Sequence, residues 1–124
     1  MSFQVTWKDK GCIFNFSGKV TTQEIEEASN LWTGDSRVDG HTYSIFNFAE
    51  ADLSPVTEDV ALEQASISWA ASLSKPVLKL AFVAQEGNAV ELIRHYIKST
   101  KDMGSTWDLN IFPSLEEAVA WVKT

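Results

Sequence analysis

Cysteine is almost absent from this chain of 124 residues, because Cys12 is the only one. A single cysteine cannot form a disulfide within the chain, which excludes the class of small secreted domains that disulfides stabilise. Cys12 lies in a segment with the pattern of a β-strand, so we expect it to be a small, buried hydrophobic side chain. A reduced thiol of this kind is typical of cytoplasmic proteins.

Positive charge is also scarce. The chain has 10 lysine and arginine residues against 17 aspartate and glutamate residues, which gives a formal net charge of −7. The basic residues are scattered and no two are adjacent, so the sequence has no basic run that would bind phosphate groups. Nucleic acids and anionic membrane surfaces are therefore disfavoured as partners.

Long apolar runs are missing as well. No segment approaches the roughly 20 apolar residues that a transmembrane helix needs, and the first residues, MSFQVTWKDK, lack the apolar region of a secretory signal. We therefore expect a cytoplasmic protein. With 44% hydrophobic residues, a chain of this length can bury a core without a disulfide or a metal ion.

Familiar catalytic motifs do not occur in the sequence. It contains neither G-x-S-x-G nor the phosphate-binding loop G-x-x-x-x-G-K-[ST]. His41 and His95 are far apart, and neither has a cysteine or a second histidine at the spacing of metal ligands. We expect both at the surface, His41 in a flexible loop (WTGDSRVDGH) and His95 on a helix. The sequence thus predicts no catalytic residue, metal or cofactor, and an unrecognised enzyme is only the third of three hypotheses.

Five segments have the alternating or continuously apolar pattern of β-strands. They are Phe3–Trp7, Cys12–Phe16, Tyr43–Phe48, Val77–Ala84 and Thr106–Phe112. A tight turn containing Gly11 separates the first two, which predicts an antiparallel hairpin. The fourth segment is almost continuously apolar, as is typical of a parallel strand covered on both faces.

Four helices are predicted from N-terminal capping residues followed by apolar residues at helical spacing. Three of them begin with a capping box: Thr21 with Glu24, Asn88 with Glu91, and Ser114 with Glu117. The second helix has two candidate caps, Ser54 before Pro55 and Thr57 before two acidic residues. Its predicted inner face consists of Val60, Ala61, Gln64, Ile67 and Ala71.

Strands that a helix separates normally pair in parallel through right-handed crossovers. The predicted fold is therefore a single layered α/β domain, residues 1–124. Its mixed five-stranded sheet has an antiparallel N-terminal hairpin, the remaining strands are parallel, and four helices pack on it.

Three stretches make the chain resemble the SpoIIAA-like family, also called STAS domains, and its SEC14-like branch. They are FSGKVTTQEI, where a strand leads into a capped helix, the apolar strand KLAFVAQEG before the next helix, and the ending IFPSLEEAVAWV. The resemblance covers essentially the whole chain. It implies a SpoIIAA-like fold and a protein that does not catalyse a reaction but regulates others by binding a protein partner.

The resemblance also implies a candidate phosphorylation site. Anti-sigma-factor antagonists of this family bind a kinase and are switched by phosphorylation of a serine between the third strand and the second helix, in a D-S-S-G-like motif. Ser54 stands at the corresponding place, but the local sequence ADLSPV lacks the paired serine and the glycine. Ser54 is thus either a helix cap or a phosphoacceptor, and Asp52, Glu58 and Asp59 would repel a phosphate there.

The SEC14-like branch implies an alternative function, the binding of a small apolar or lipid-like ligand with peripheral membrane association. Trp69 fits the apolar stripe of its helix poorly and Tyr96 lies on the inner face of the next helix, so both are candidates to line a cleft. We also expect a homodimer, because a second copy would cover the aromatic N-terminal hairpin at the sheet edge.

Overall fold

The computed structural model describes residues 3–85 and 87–124, which form one five-stranded sheet and five helices. In chain order these are β1 (Phe3–Trp7), β2 (Gly11–Lys19), α1 (Thr22–Gly34), α2 (Ser36–Asp39), β3 (Tyr43–Asp52), α3 (Glu58–Ser74), β4 (Lys79–Val83), α4 (Asn88–Asp102), β5 (Asp108–Phe112) and α5 (Leu115–Val122). The predicted strands and helices are all present. The short helix α2 is an addition, within the segment predicted to be a flexible loop.

The strands lie in the sheet in the same order as in the chain. β1 and β2 pair antiparallel, with Phe3 opposite Phe16, and every later pair is parallel. The predicted mixed sheet is therefore confirmed. Because right-handed crossovers that always step in one direction stay on one side of a sheet, α1, α3 and α4 share a face.

Two hydrophobic layers result from this arrangement. The larger one joins the aromatic face of the sheet to α1, α3 and α4. The smaller one lies on the opposite face, where Ile13, Ile45 and Val83 pack against Ala118 and Val122 of α5. The candidate site described below lies in the larger layer.

The predicted N-caps Thr21 and Ser114 are confirmed, whereas the predicted caps Asn88 and Ser54 are wrong. Thr21 forms a complete capping box with Glu24, and the Ser114 hydroxyl accepts a hydrogen bond from the Glu117 amide. Asn88, in contrast, is the first residue of α4, and Gly87 occupies the cap position with a φ of 88°. Glycine adopts this left-handed conformation at little cost, so it displaces the asparagine from the cap.

Ser54 is not the cap of α3. The helix begins at Glu58 and the rival candidate Thr57 takes the cap position, although its side chain makes no capping bond within the described residues. Ser54 instead lies in an exposed turn, where its backbone N–H donates to Asp52 Oδ1 at 2.9 Å. The aspartate carboxylate stabilises this turn and delays the start of the helix.

The inner face of α3 also differs from the prediction. Ala61 is buried as predicted, Val60 and Ala71 pack against the core, and Gln64 lines the cavity described below. Only Ile67 of the predicted face is turned outward, at 36% exposure. The buried residues at helical spacing are small: Ala61, Ala65, Ser68 and Ser72. Small side chains let α3 approach α4 closely, which a stripe of large apolar residues would prevent.

The segment predicted to be a flexible loop is held by two contacts. Asp35 accepts hydrogen bonds from the backbone N–H of Arg37 at 2.9 Å and from its guanidinium at 2.7 Å. The guanidinium lies 3.7 Å from the centre of the Trp7 ring, a cation–π contact. His41 follows α2 and is 5% exposed, so its predicted surface position is wrong.

Candidate functional site: an apolar cavity between the sheet and three helices

An apolar cavity of about 90 Å³ lies between the sheet and helices α1, α3 and α4. The strands β2, β3 and β4 line one side of it. Leu53 and Val56, which follow β3, line it as well. The cavity therefore lies toward the carboxyl ends of the parallel strands, where open α/β sheets commonly bind their ligands.

The floor of the cavity is a cluster of aromatic rings. Phe46 at the centre of β3 stacks on Phe14 with ring centres 4.8 Å apart and contacts Phe82 of β4 at 5.8 Å. Phe16 of β2 and Phe48 of β3 stack at 4.5 Å. These residues point to one face because side chains alternate along each strand. Large rings packed against one another form a rigid surface with few hydrogen-bonding groups.

The helical side of the cavity carries its polar groups. Ser68 of α3 and Tyr96 of α4 both line it, and their hydroxyl oxygens are 2.5 Å apart, within hydrogen-bonding distance. Both side chains are buried, at 2% and 8% exposure. Gln64, one turn before Ser68, is half-buried and adds an amide to the lining.

The hydroxyl of Tyr96 is neutral over the whole physiological range. Burial raises the pKa of Tyr96 to about 12, although hydrogen bonds with Ser68 and Thr100 favour the phenolate. A phenol with this pKa is a poor general acid or base near neutral pH. Among the described residues, none with an ionised side chain lines the cavity. The arrangement can hold a small neutral molecule, but it offers no acid–base pair for catalysis.

The candidate site residues of the sequence are not brought together. Tyr96 lines the cavity, whereas Trp69 lies half-buried on α3 outside the lining. Its indole Nε1 is 4.0 Å from the point where a Cβ on Gly104 would lie. Ser54 is exposed in the turn between β3 and α3 and does not line the cavity, although Leu53 and Val56 on either side of it do.

His41 lies away from this cavity, at the end of α2 next to Trp7. Its Nδ1 atom is buried and has no hydrogen-bond partner among the described residues. Burial lowers the pKa of His41, and the positive charges of Lys75 and Arg37 lower it further, while Asp35 and Asp9 oppose this effect. His95 is half-buried on α4. In residues 3–85 and 87–124 no three side chains of the metal-binding types come together.

Sequence reasoning missed Ser68 and most of the lining. Ser68 was hidden because serine carries no apolar signal, yet it belongs to the small residues Ala61, Ala65, Ser68 and Ser72, spaced four, three and four apart. That spacing marks one face of a helix. It could have indicated that α3 packs through small side chains, although not that Tyr96 lies opposite.

Comparison with solved structures identifies the fold. The chain is similar to the crystal structure of an uncharacterised DUF3478 family protein with a SpoIIAA-like fold from Shewanella loihica, with a TM-score of 0.52 and 16% sequence identity. The alignment covers 97% of this chain and 91% of that one. The chain therefore has a SpoIIAA-like fold, as the sequence predicted. No protein-family profile and no curated protein matches it.

None of the helices within the described residues is both long enough and apolar enough to cross a lipid bilayer.

Proposed function

We propose that this protein is a non-enzymatic binding protein whose small apolar ligand occupies the cavity between the sheet and α1, α3 and α4. The observation that carries the proposal is the cavity itself, a space of about 90 Å³ walled by apolar side chains. Water is disfavoured in such a space because the apolar walls offer it few hydrogen-bond partners. An apolar molecule that fills the space gains van der Waals contacts with the walls.

The volume of the cavity limits the size of the ligand. Apolar cavities of about 150 Å³ accommodate benzene or xenon, and sites for drug-sized molecules occupy about 300–1,000 Å³. A space of about 90 Å³ therefore supports a compact ligand rather than a whole lipid chain. The stacked rings of Phe16 and Phe48 make a large expansion of the floor costly.

Xenon is a suitable first probe, because it tests access to an apolar space without any polar contact. Methyl NMR spectra of the protein under xenon pressure should show concentration-dependent shifts at Leu80, Leu92 and Ile93, which line the cavity. The methyl groups of Leu73, which is 69% exposed, provide a surface reference. Shifts at Leu73 with none at the lining methyl groups would overturn the proposal.

A matched pair of variants locates the binding. Ala61→Val adds two methyl groups inside the lining, and Ala70→Val makes the same change on the exposed side of the same helix. We expect the first to weaken the xenon shifts several-fold and the second to leave them unchanged. Circular dichroism of both variants checks that α3 is intact.

A regulatory interaction controlled by Ser54 is the second candidate function. It is favoured by the exposure of Ser54 in the turn after β3, which would leave its hydroxyl accessible to a kinase. The neighbouring carboxylates of Asp52 and Glu58 act against a phosphate dianion at this point. The test is the intact mass of the protein purified from its own cells. A phosphate mass that Ser54→Ala abolishes would support the switch, and its absence under all growth conditions would exclude it.

Two further expectations belong to this proposal. We propose a cytoplasmic location, which the buried and unpaired thiol of Cys12 supports. We also propose a homodimer formed through β1, which is an edge strand of the sheet and so has backbone groups available for pairing. Sedimentation equilibrium giving the mass of one chain, 13.8 kDa, would exclude the dimer.

A further inference from the structure

Among the described lining residues, Ser68 of α3 and Tyr96 of α4 are the two whose hydroxyl groups form a buried pair between helices. The oxygens are 2.5 Å apart, and each residue is at least nine-tenths buried. The tyrosine ring is fixed by an edge-to-face contact with Phe82, with ring centres 5.2 Å apart. One turn further along α4, Thr100 donates to the Tyr96 carbonyl at 2.8 Å. The bond to Ser68 and the contact with Phe82 therefore hold the hydroxyl of Tyr96 at a defined point of the lining.

The hydrogen-bonding capacity of this pair exceeds what the pair itself uses. Each hydroxyl has one hydrogen to donate and two lone pairs to accept with. The mutual bond takes one hydrogen and one lone pair, and the hydrogen bond with Thr100 takes one more lone pair of Tyr96, so one hydrogen and two lone pairs of the pair stay available. The donor in the mutual bond can be either residue. A ligand hydroxyl or carbonyl beside the pair can thus accept a hydrogen bond from it, and a ligand hydroxyl can also donate one to it, without breaking the bond between α3 and α4.

The lining also decides the charge of the ligand. A carboxylate or an ammonium group in this space would find no counter-ion among the described lining residues. The free energy needed to bury an unpaired charge is far larger than the stabilisation that one or two hydrogen bonds from neutral hydroxyls provide. A ligand with a single neutral oxygen avoids this cost, because a hydroxyl or carbonyl needs only one partner.

We propose that the cavity selects a small, uncharged molecule with an apolar body and one hydroxyl or carbonyl oxygen, which hydrogen-bonds to the Ser68–Tyr96 pair. This inference rests on the proposed function, since it requires that the cavity bind a ligand at all. It adds a polar anchor and excludes anionic ligands such as free fatty acids.

Isobutanol, isobutyrate and xenon form a suitable set of probes. Isobutanol carries a branched apolar body and one hydroxyl, isobutyrate has a similar body with a negative charge at neutral pH, and xenon has no polar group. The methyl shifts of Leu92 and Ile93 report binding of all three. In the unmodified protein we expect isobutanol to bind at least ten-fold more tightly than isobutyrate, a comparison that needs no variant.

Three variants separate the anchor from the cavity. Tyr96→Phe and Ser68→Ala each remove one hydroxyl of the pair, and Ser66→Ala removes an exposed hydroxyl from the same helix. We expect isobutanol to bind roughly two- to ten-fold more weakly to the first two variants and unchanged to the third. Xenon shifts should persist in all three.

The outcomes distinguish the two proposals. If xenon binds but isobutanol binds equally to the unmodified protein, Tyr96→Phe and Ser68→Ala, the anchor is wrong and the apolar site stands. Isobutyrate binding as tightly as isobutanol also overturns the anchor. If xenon causes no shift at the lining methyl groups of the unmodified protein, both proposals fail.

Discussion

The indole of Trp32 donates a 2.9 Å hydrogen bond to the hydroxyl of Ser44, across the core between α1 and β3. Both side chains are buried, and Ser44 has no exposed surface. The thiol of Cys12 on β2 also donates to the Ser44 oxygen, at 3.7 Å. One serine therefore satisfies the indole N–H of Trp32, whose ring lies edge-to-face with that of Phe46, with ring centres 5.3 Å apart.

We expect Ser44→Ala to lower the free energy of unfolding by about 1–3 kcal/mol, because it leaves the Trp32 N–H buried without an acceptor. In a Trp32→Phe background the same substitution should cost clearly less, since the donor is gone. Urea denaturation of the two single variants and the double variant measures this coupling. Ser17→Ala, on the exposed end of β2, is the control and should be nearly neutral. Equal costs of Ser44→Ala in both backgrounds would contradict the account.

Two serines that look alike in the sequence should differ in their contribution to stability. Ser114 accepts a hydrogen bond from the Glu117 amide at 3.2 Å, so Ser114→Ala should cost about 1 kcal/mol. Ser54 lies in the turn before α3, where its backbone N–H and its side chain both hydrogen-bond to the exposed carboxylate of Asp52. Alanine retains the backbone bond, so Ser54→Ala should change stability by less than about 0.5 kcal/mol. Thermal unfolding of both variants measures the two losses of stability. A loss for Ser54→Ala as large as that for Ser114→Ala would contradict the prediction.

The sheet topology could be predicted because it depends on local patterns. Alternation along Phe3–Trp7 and the continuous apolar run near β4 identify strands, and helices between later strands require parallel pairing. Capping was predicted where no other group competes, as at Thr21 and Ser114. It failed at Asn88, where a neighbouring glycine takes the cap position.

The cavity could not be predicted in the same way. The cavity is the volume that side chains from three strands and three helices leave unfilled when these elements pack together. That volume depends on the tertiary arrangement, which no local sequence pattern specifies. Helical periodicity predicts that Tyr96 lies on the inner face of α4. Its pairing with Ser68 depends on the packing of α3 against α4, which the sequence pattern does not specify. Burial of His41 similarly depends on Trp7, which is far away in the sequence, with a ring centre 6.1 Å from that of His41.

His41 should make the protein less stable in mild acid. Its folded-state pKa is lowered, chiefly by burial, so the unfolded chain binds a proton at a higher pH than the folded protein does. The stability that the neutral His41 contributes is fully present above the unfolded-state pKa of about 6.5. It is lost as the pH falls through the folded-state pKa. In proton NMR the His41 ring should titrate below pH 6.5.

A His41→Gln variant should lose less stability between pH 7 and pH 5 than the unmodified protein, in urea denaturation at each pH. His95→Gln serves as the control, because His95 lies on α4 and its removal assigns the remaining ring signal to His41. A His41 signal that titrates at or above pH 6.5 would contradict the prediction. An equal loss of unfolding free energy between pH 7 and pH 5 in the unmodified protein and in His41→Gln would also contradict it.

Gly11 and Tyr43 are paired across β2 and β3, and the tyrosine ring occupies the space where a Cβ on Gly11 would lie. Three ring atoms, Cδ1, Cε1 and Cζ, would clash with that Cβ. The requirement for glycine here concerns space, because Gly11 is not among the glycines with positive φ, which are Gly18, Gly87 and Gly104. Gly11→Ala must therefore push the ring away or separate the strands, at a cost of roughly 1–3 kcal/mol.

The clash itself can be removed to test this explanation. In a Tyr43→Ala background no ring remains to be displaced, so Gly11→Ala should be neutral or slightly stabilising, because alanine restricts the unfolded chain more than glycine does. Gly34→Ala provides the matched control, since a Cβ at Gly34 meets no described atom within 4 Å. Urea denaturation of the four variants gives the coupling. A similar loss from Gly11→Ala with and without the Tyr43 ring would mean that the backbone, and not the ring, requires glycine at this position.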